Sequence, residues 1–170
     1  MPARAQPPRW FFDENSIGIA QALHHVRGDV TWPGGPDSPV SAGTPDQDWL
    51  PVVGQHGLVV LTRDKKIRSR PLERKALLDH GVRACFQTAG GQLTLFEQLR
   101  LWLRWWDDVE ALVEHEPGPW LAGVNRAGAK IFDRSVVRPL LRGRANNRRR
   151  RAVCSRTAPS IPPARQLRRH

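Results

Sequence analysis

The chain has 170 residues, enough for one domain with a substantial core and a tail, and its formal net charge at pH 7 is +11. That charge is confined to one end, because residues 134–170 carry 12 of the 27 Lys and Arg residues and none of the 16 Asp and Glu residues. No apolar run approaches the length of a membrane span, and Cys85 and Cys154 belong to no CxxC or Cys/His cluster, so a membrane-spanning helix and a thiolate zinc site are excluded.

The N-terminal segment "MPARAQPPRW" lacks the apolar stretch of a secretion signal. Two cysteines far apart in the sequence also favour a reducing compartment over a disulfide framework. We therefore expect a cytoplasmic protein.

Apolar periodicity and turn residues predict strands and helices in alternation. "RWFF" at 9–12 predicts a first strand, and Ser16 is placed to cap a helix over 17–27. "DVTW" at 29–32 predicts a second strand, followed by a loop rich in Pro and Gly over 33–45.

The third strand, "LVVLT" at 58–62, has an unbroken apolar run typical of a parallel strand covered on both faces. Before it, Thr44 and Gln47 form a capping-box pattern for a helix predicted to open at Pro45 and to bend near Pro51. After it, "RPLERKALLDHG" predicts a helix.

A fourth strand is predicted at 82–88 and a terminal hairpin after Pro117. Between them, Thr94 and Glu97 form a second capping-box pattern for one long helix over 94–114. Its apolar arc is roughly 200° wide, more than one sheet face needs. It is either a deeply buried helix or a surface for a second protein, with these candidate interface residues: Trp102, Trp105 and Trp106.

This order predicts an α/β fold over residues 1–133, with a mostly parallel central sheet, right-handed crossovers and helices on both faces. In residues 134–170, Arg runs and prolines leave little to bury, so we expect a basic, disordered tail. The tail either holds nucleic acid through its phosphates or is a solvated extension.

Carboxylates follow or precede the predicted strands at one edge of this sheet. Asp13 and Glu14 follow the first strand, Asp64 follows the third, and Asp46 and Asp48 lie in the first turn of the helix leading into the third. Functional crevices of such sheets lie at the carboxyl ends of the strands, so we expect three parts of the chain to deliver acids to one rim.

Two carboxylates about 4 Å apart repel by roughly 4 kcal/mol, so clustered acids need protons or a cation. Oxygen ligands without Cys or His select Mg²⁺ or Mn²⁺, which suit phosphodiester hydrolysis. Taken singly, Asp46 and Asp48 could instead complement the helix dipole, Asp64 could cap a turn, and Glu14 could be a solvated residue. Basic residues surround Asp64 and are candidate RNA contacts or a solvated approach to the next helix: Arg63, Lys65, Lys66, Arg68 and Arg70.

The segments "FFDEN", "TPDQDWLPVVGQHGLVVLTRDKKIRSRP" and "ERKALLDHGVRACFQTAG" together resemble the compact PIN-like domains related to VapC-type toxins, over residues 9–133. The resemblance implies a three-layer fold and a metal-dependent endoribonuclease acting on single-stranded RNA, often the toxin of a toxin–antitoxin pair. An antitoxin or a second copy of the chain would be its protein partner.

Carried over by position, the resemblance implies that Asp13, Asp46 and Asp64 bind the metal and serve catalysis, with Asp48 as a lesser ligand. Larger PIN domains bring a further late carboxylate, which has no evident counterpart, since Asp107 stands on the long helix without a motif around it.

Two other functions fit part of the pattern. A phosphoacceptor receiver-like domain also uses acids after its first and third strands, and Thr88 would suit the end of its fourth. It needs a Lys at the end of a fifth strand, however, and Lys130 lies in the predicted hairpin. The remaining possibility is a non-catalytic module that binds nucleic acid through the Arg-rich tail.

Overall fold

The computed structural model describes residues 7–64, 67 and 69–134. Its strands are β1 (Trp10–Phe12), β2 (Val30–Thr31), β3 (Val59–Thr62), β4 (Arg83–Gln87), β5 (Trp120–Asn125) and β6 (Gly128–Asp133). The helices described in full are α1 (Ile17–His24), α2 (Asp46–Gln55), α3 (Pro71–Asp79), α4 (Leu95–Arg104) and α5 (Trp106–His115), and a short 3-10 turn at Glu14–Ser16 precedes α1.

The six strands form one sheet in the order β2-β1-β3-β4-β5-β6. The first five strands are parallel, and β6 returns antiparallel to β5 as a hairpin. This confirms the predicted α/β class with a mostly parallel sheet. The element boundaries shift: α1 ends at His24, short of the predicted 27, and α2 begins at Asp46, with Pro51 inside it.

The central strands are buried on both faces, which accounts for the three consecutive aromatic residues of β1. Trp10 and Phe12 point into one core layer with Trp102 of α4, whereas Phe11 points into the opposite layer with Trp49 of α2. Because side chains alternate between the two faces of a strand, a strand covered by helices on both sides buries every side chain, and consecutive residues are apolar.

The prediction of one helix over 94–114 is wrong, because the helix is interrupted at Trp105. The Trp105 amide is shared between the carbonyl oxygens of Leu101 and Trp102, which tightens the last turn of α4. A new helix then starts, with Asp107 and Asp108 in the first turn, where acids complement the helix dipole. The predicted capping box at Thr94 is present.

The break also explains the wide apolar arc. Two shorter helices bury two different stripes against the sheet, so Trp102 and Trp106 are 1% and 6% exposed and lie in the core. Neither side chain is therefore surface in the described part of the chain, and their role in a partner interface stays a prediction. Trp105 is half-buried.

Helices α2 and α3 approach each other closely at Gly54. A Cβ at this position would lie 2.3 Å from the backbone oxygen of His80, so only glycine permits the contact. At their opposite ends the two helices carry acids in the first turn, Asp46 in α2 and Glu73 in α3.

The predicted disorder of residues 134–170 falls almost wholly outside the described residues. The exception is Arg134, whose guanidinium donates a hydrogen bond to Glu116 at 2.8 Å. The boundary at 133/134 therefore stays a prediction. Among the described helices, none combines the length and apolar character needed to cross a membrane.

Candidate active site

Asp13 lies where β1 ends, and its side chain is 3% exposed. The parallel register pairs Phe12 with Leu61, which brings Asp13 beside Thr62 at the end of β3. The Thr62 hydroxyl donates to Asp13 Oδ2 at 2.6 Å, and the Asn15 amide donates to the same oxygen at 3.3 Å. Asp13 Oδ1 is buried and has no hydrogen-bond partner.

Thr62 also connects Asp13 to the loop that carries Asp64. The backbone N–H of Asp64 donates a hydrogen bond to Thr62 Oγ1 at 2.8 Å, and the Thr62 hydroxyl in turn donates one to Asp13 Oδ2. This short relay holds the half-buried Asp64 next to the end of β1.

The pKa of Asp13 is raised above its ordinary value. Burial is the main cause; hydrogen bonds from Thr62, Ser16 and Asn15 oppose it, and the negative charge of Asp64 adds to it. Among the described residues, no cation forms an ion pair with Asp13. Within the described residues, the compensation for its charge therefore comes from neutral hydrogen-bond donors.

Asp46 opens α2 at the same rim. Its Oδ1 accepts a hydrogen bond from Trp49 Nε1 at 3.0 Å. Partial burial raises the pKa of Asp46; the Trp49 bond opposes this, the charges of Glu73 and Asp64 raise it further, and Arg70 lowers it. Asp13 and Asp46 thus both lie within electrostatic reach of Asp64.

Three other acids considered from the sequence do not join this group. Asp48 is exposed and is absent from the charges that raise the pKa of Asp13 or Asp46. Glu14 is exposed and accepts a hydrogen bond from the backbone N–H of Gly43 at 2.6 Å, which ties down the loop before α2. Asp107 is exposed in the first turn of α5.

A further acid at the rim is Glu73, which the sequence pattern did not single out. Its Oε1 accepts a hydrogen bond from Arg70 at 2.7 Å, whereas its Oε2 is buried without a partner. Its charge raises the pKa of Asp46. The signal that could have found it is the one used for Asp46, namely an acid in the first turn of a helix packed on the sheet.

The predicted RNA contacts are only partly described. Arg63 is exposed next to Asp64, and Arg70 is exposed and paired with Glu73. Lys65, Lys66 and Arg68 lie outside the described residues. Arg63 is thus the described cation that faces the rim without an ion pair to another described residue.

A cavity of about 610 Å³ opens beside Asp64, at the carboxyl ends of β1, β3 and β4. Its wall includes Asn15, Arg63, Asp64, Gln87, Leu93 and Gln98. Gln87 and Gln98 are buried, and neither was a candidate from the sequence, because neutral amides carry no periodic or charge signal.

The donors at the rim are chemically suited to a hard divalent cation. Asp13 and Glu73 each present one buried carboxylate oxygen without a partner among the described residues, and burial, with the charge of Asp64 adding to it, raises the pKa of Asp13 and of Asp46. As the described side chains stand, however, no three His, Cys, Asp or Glu residues are arranged to hold a metal. Holding one would require side-chain rearrangement.

Comparison with known families supports the PIN-like part of the resemblance noted from the sequence. Residues 8–89 match the model of a family described as "PIN like domain", so the match covers a little under half of the chain and ends soon after β4. It includes Asp13, Asp46, Asp64 and Glu73. No curated protein and no solved structure matches the chain.

Proposed function

We propose, from the PIN-like domain found at residues 8–89, that this chain is a metal-dependent endoribonuclease that hydrolyses phosphodiester bonds of single-stranded RNA. PIN-like domains are generally nucleases. The observation that carries the proposal is Asp13, a carboxylate buried at a strand end, with one oxygen unpartnered and the charge of Asp64 beside it.

In this proposal Asp13, Asp46 and Asp64 hold one or two Mg²⁺ or Mn²⁺ ions, and Glu73 supplies a further oxygen. A bound ion of this kind polarises a phosphoryl oxygen and lowers the pKa of bound water. The chain's own groups do the rest: Thr62 fixes the orientation of Asp13, and Arg63 at the rim attracts the phosphate backbone of RNA. Lys65, Lys66, Arg68 and Arg70 stay predicted RNA contacts.

The receiver-like alternative is disfavoured by the residue at which the fifth strand, β5, ends. Its chemistry needs a lysine at the end of the fifth strand, whereas β5 ends at Asn125. Lys130 lies in β6 with its side chain exposed. The non-catalytic binding module remains an outcome of the experiment below.

The test compares cleavage of a single-stranded RNA by the wild-type protein and by Asp46→Asn and Asp48→Asn. These two variants lose the same charge from the same helical turn, but Asp46 faces the other acids and Asp48 faces solvent. We expect Mg²⁺ or Mn²⁺ to support cleavage by the wild type and EDTA to suppress it. Asp46→Asn should lower the rate by roughly 100-fold, the value of about 3 kcal/mol of lost transition-state stabilisation.

Asp48→Asn should cleave like the wild type, and the loss of cleavage in Asp46→Asn purified in the same way excludes a contaminating nuclease as the source of the activity. Cleavage that resists EDTA, or that is equal in Asp46→Asn and the wild type, would contradict the proposal. Metal-independent RNA binding without cleavage in any arm would favour the binding module.

We also propose that the protein is the toxin of a toxin–antitoxin pair and that its partner, an antitoxin or a second copy, contacts α4. What supports this is apolar surface left on that helix after Trp102 is buried: Leu95, Phe96 and Leu103 are 54%, 67% and 54% exposed. Trp105, half-buried at the end of the helix, stays a predicted contact.

Adding the product of a neighbouring gene should increase the mass of the protein in solution and inhibit RNA cleavage. Phe96→Ser should weaken both effects by roughly 10-fold, since it removes a large exposed aromatic from the interface. Val26→Ser, an exposed apolar residue after α1, is the control. A monomer whose mass and cleavage rate are unchanged by the added product would count against this role.

A further inference from the structure

The cavity beside Asp64 has features that the metal chemistry does not use. Its volume of about 610 Å³ falls within the range of about 300–1,000 Å³ that is common for small-molecule sites. Asp64 and Arg63 line one part of it, and Leu93, Gln87 and Gln98 line another. The cavity therefore joins a charged region to a region of apolar and neutral polar side chains.

Two glutamine side chains in this cavity have unsatisfied acceptors. Gln87 is 7% exposed and Gln98 is 4% exposed, and the Oε1 atom of each is buried without a hydrogen-bond partner. Buried acceptors are seldom left unpaired in folded proteins, because an unmade hydrogen bond costs free energy. Both side chains belong to the lining of one cavity, so a ligand that brings its own donors would satisfy these oxygens once the groups that now cover them move aside.

The orientation of the Gln98 amide is determined by its surroundings. Its Nε2 donates to the carbonyl oxygen of Leu93 at 2.9 Å, so the oxygen end must point the other way. The first turn of α4 is held by the capping box, in which the Thr94 N–H donates to Glu97 at 2.8 Å. Gln87 is the last residue of β4 and is paired in the sheet with Val124. Both acceptors are thus mounted on ordered elements.

We propose that this cavity is a nucleobase subsite of the ribonuclease, in which Gln87 and Gln98 accept hydrogen bonds from the exocyclic amino group of an adenine, cytosine or guanine. The inference rests on the proposed function for the identity of the ligand as RNA. The subsite would give the enzyme a preference for bases with an exocyclic amino group over uracil.

The chemistry of the bases supports this choice. Cytosine presents an N4 amino donor where uracil presents the O4 acceptor, so a wall of acceptor oxygens satisfies the first and opposes the second. Leu93 and Ala89 supply apolar surface for a base, and Arg63 supplies a cation for the adjoining phosphate. Asp64 at the same edge places the base next to the acids.

The test measures binding of CMP and UMP to the full chain in EDTA, by titration calorimetry, so that neither metal nor cleavage enters the result. The two nucleotides carry the same phosphate and ribose, and any attraction to the Arg-rich tail cancels in their ratio. We expect CMP to bind at least 10-fold more tightly than UMP, as one or two hydrogen bonds to a base edge provide.

Gln98→Leu should bring the affinity ratio close to one, and Gln87→Leu should lower it too. The matched control is Gln92→Leu, an exposed glutamine at the rim of the same cavity, which should keep the wild-type ratio. If Gln98→Leu fails to fold, Gln87→Leu and the wild-type ratio still decide the matter. Equal or undetectable binding of CMP and UMP by the wild type overturns the subsite. A preserved preference for CMP without any RNA cleavage would leave the subsite standing and overturn the nuclease.

Discussion

Replacing Asp13 by Asn is expected, under the proposed nuclease function, to lower RNA cleavage by roughly 1,000-fold, because losing a proposed oxygen ligand of the metal would cost about 4 kcal/mol of transition-state stabilisation. The substitution keeps the shape of the side chain and leaves an oxygen that accepts the Thr62 hydroxyl, which now lies 2.6 Å from Asp13. It removes the charge that attracts a cation. The measurement is the single-turnover rate on a single-stranded RNA with saturating Mn²⁺.

The same substitution should raise the free energy of unfolding in EDTA. The folded-state pKa of Asp13 lies above its ordinary value of 3.8, so the folded chain binds this proton more tightly than the unfolded chain does. Stability is therefore lost as pH rises from that ordinary value through the folded-state pKa, and the ionised wild-type carboxyl is a cost at neutral pH. Asn has no such cost, so the difference should vanish at acidic pH.

Urea unfolding of both proteins between pH 4 and pH 8 measures this effect. Adding Mn²⁺ should reverse the order at neutral pH, because a ligand that binds only the folded wild type stabilises it by mass action. Asp48→Asn is the control and should lower stability by less than about 1 kcal/mol, the usual contribution of an exposed acid in a first helical turn. An Asp13→Asn protein that is less stable than the wild type at neutral pH in EDTA would contradict the view that the ionised Asp13 carboxyl is a cost to folding.

The fold and part of the site were predictable because they follow from local rules. Alternation of strands and helices predicts the parallel sheet, and the carboxyl-end rule places Asp13, Asp46 and Asp64 at one rim. The same rule applies to Glu73, but in the sequence it stands in a charged helical segment and looks like an ordinary surface acid. Its position beside Asp46 depends on how α2 and α3 pack side by side, and that packing has no local sequence signal.

The long-helix prediction failed for a related reason. A continuous apolar arc fits one buried helix, and it fits equally well two shorter helices that turn at Trp105 and bury Trp102 and Trp106 separately. Periodicity along a single axis cannot distinguish these arrangements, because the choice depends on the shape of the sheet surface underneath. The buried amides of Gln87 and Gln98 likewise become visible only after packing shows that their oxygens lack partners.

The half-buried Arg27 and the buried Asp29 form a polar cluster on the side of the fold that carries α1 and α5. Asp29 is 6% exposed and accepts hydrogen bonds from Arg27 at 2.9 Å and from the Trp10 indole at 3.1 Å. Arg27 also donates to Glu110 at 2.9 Å, and its guanidinium lies 4.8 Å from the centre of the Trp106 ring. Burial disfavours the charge of Asp29, yet the hydrogen bonds and charge of Arg27 hold its pKa below the usual value.

Arg27→Met is expected to lower the free energy of unfolding by about 3 kcal/mol at neutral pH, because it leaves the Asp29 carboxylate buried without its cation. Adding Asp29→Asn to this variant should recover part of the loss, since it removes the stranded charge. In the wild type, the lowered pKa of Asp29 means that its stabilising contribution is present above its ordinary pKa and is lost as pH falls through the folded-state value. In Arg27→Met the sign of this pH dependence should invert, with stability falling as pH rises.

Urea unfolding of the two single variants and the double variant measures the coupling between Arg27 and Asp29. The control is Lys75→Met, which removes an exposed pair with Asp79 and should change the free energy of unfolding little. Purely additive losses would show that Arg27 acts through its packing on Trp106 rather than through its charge.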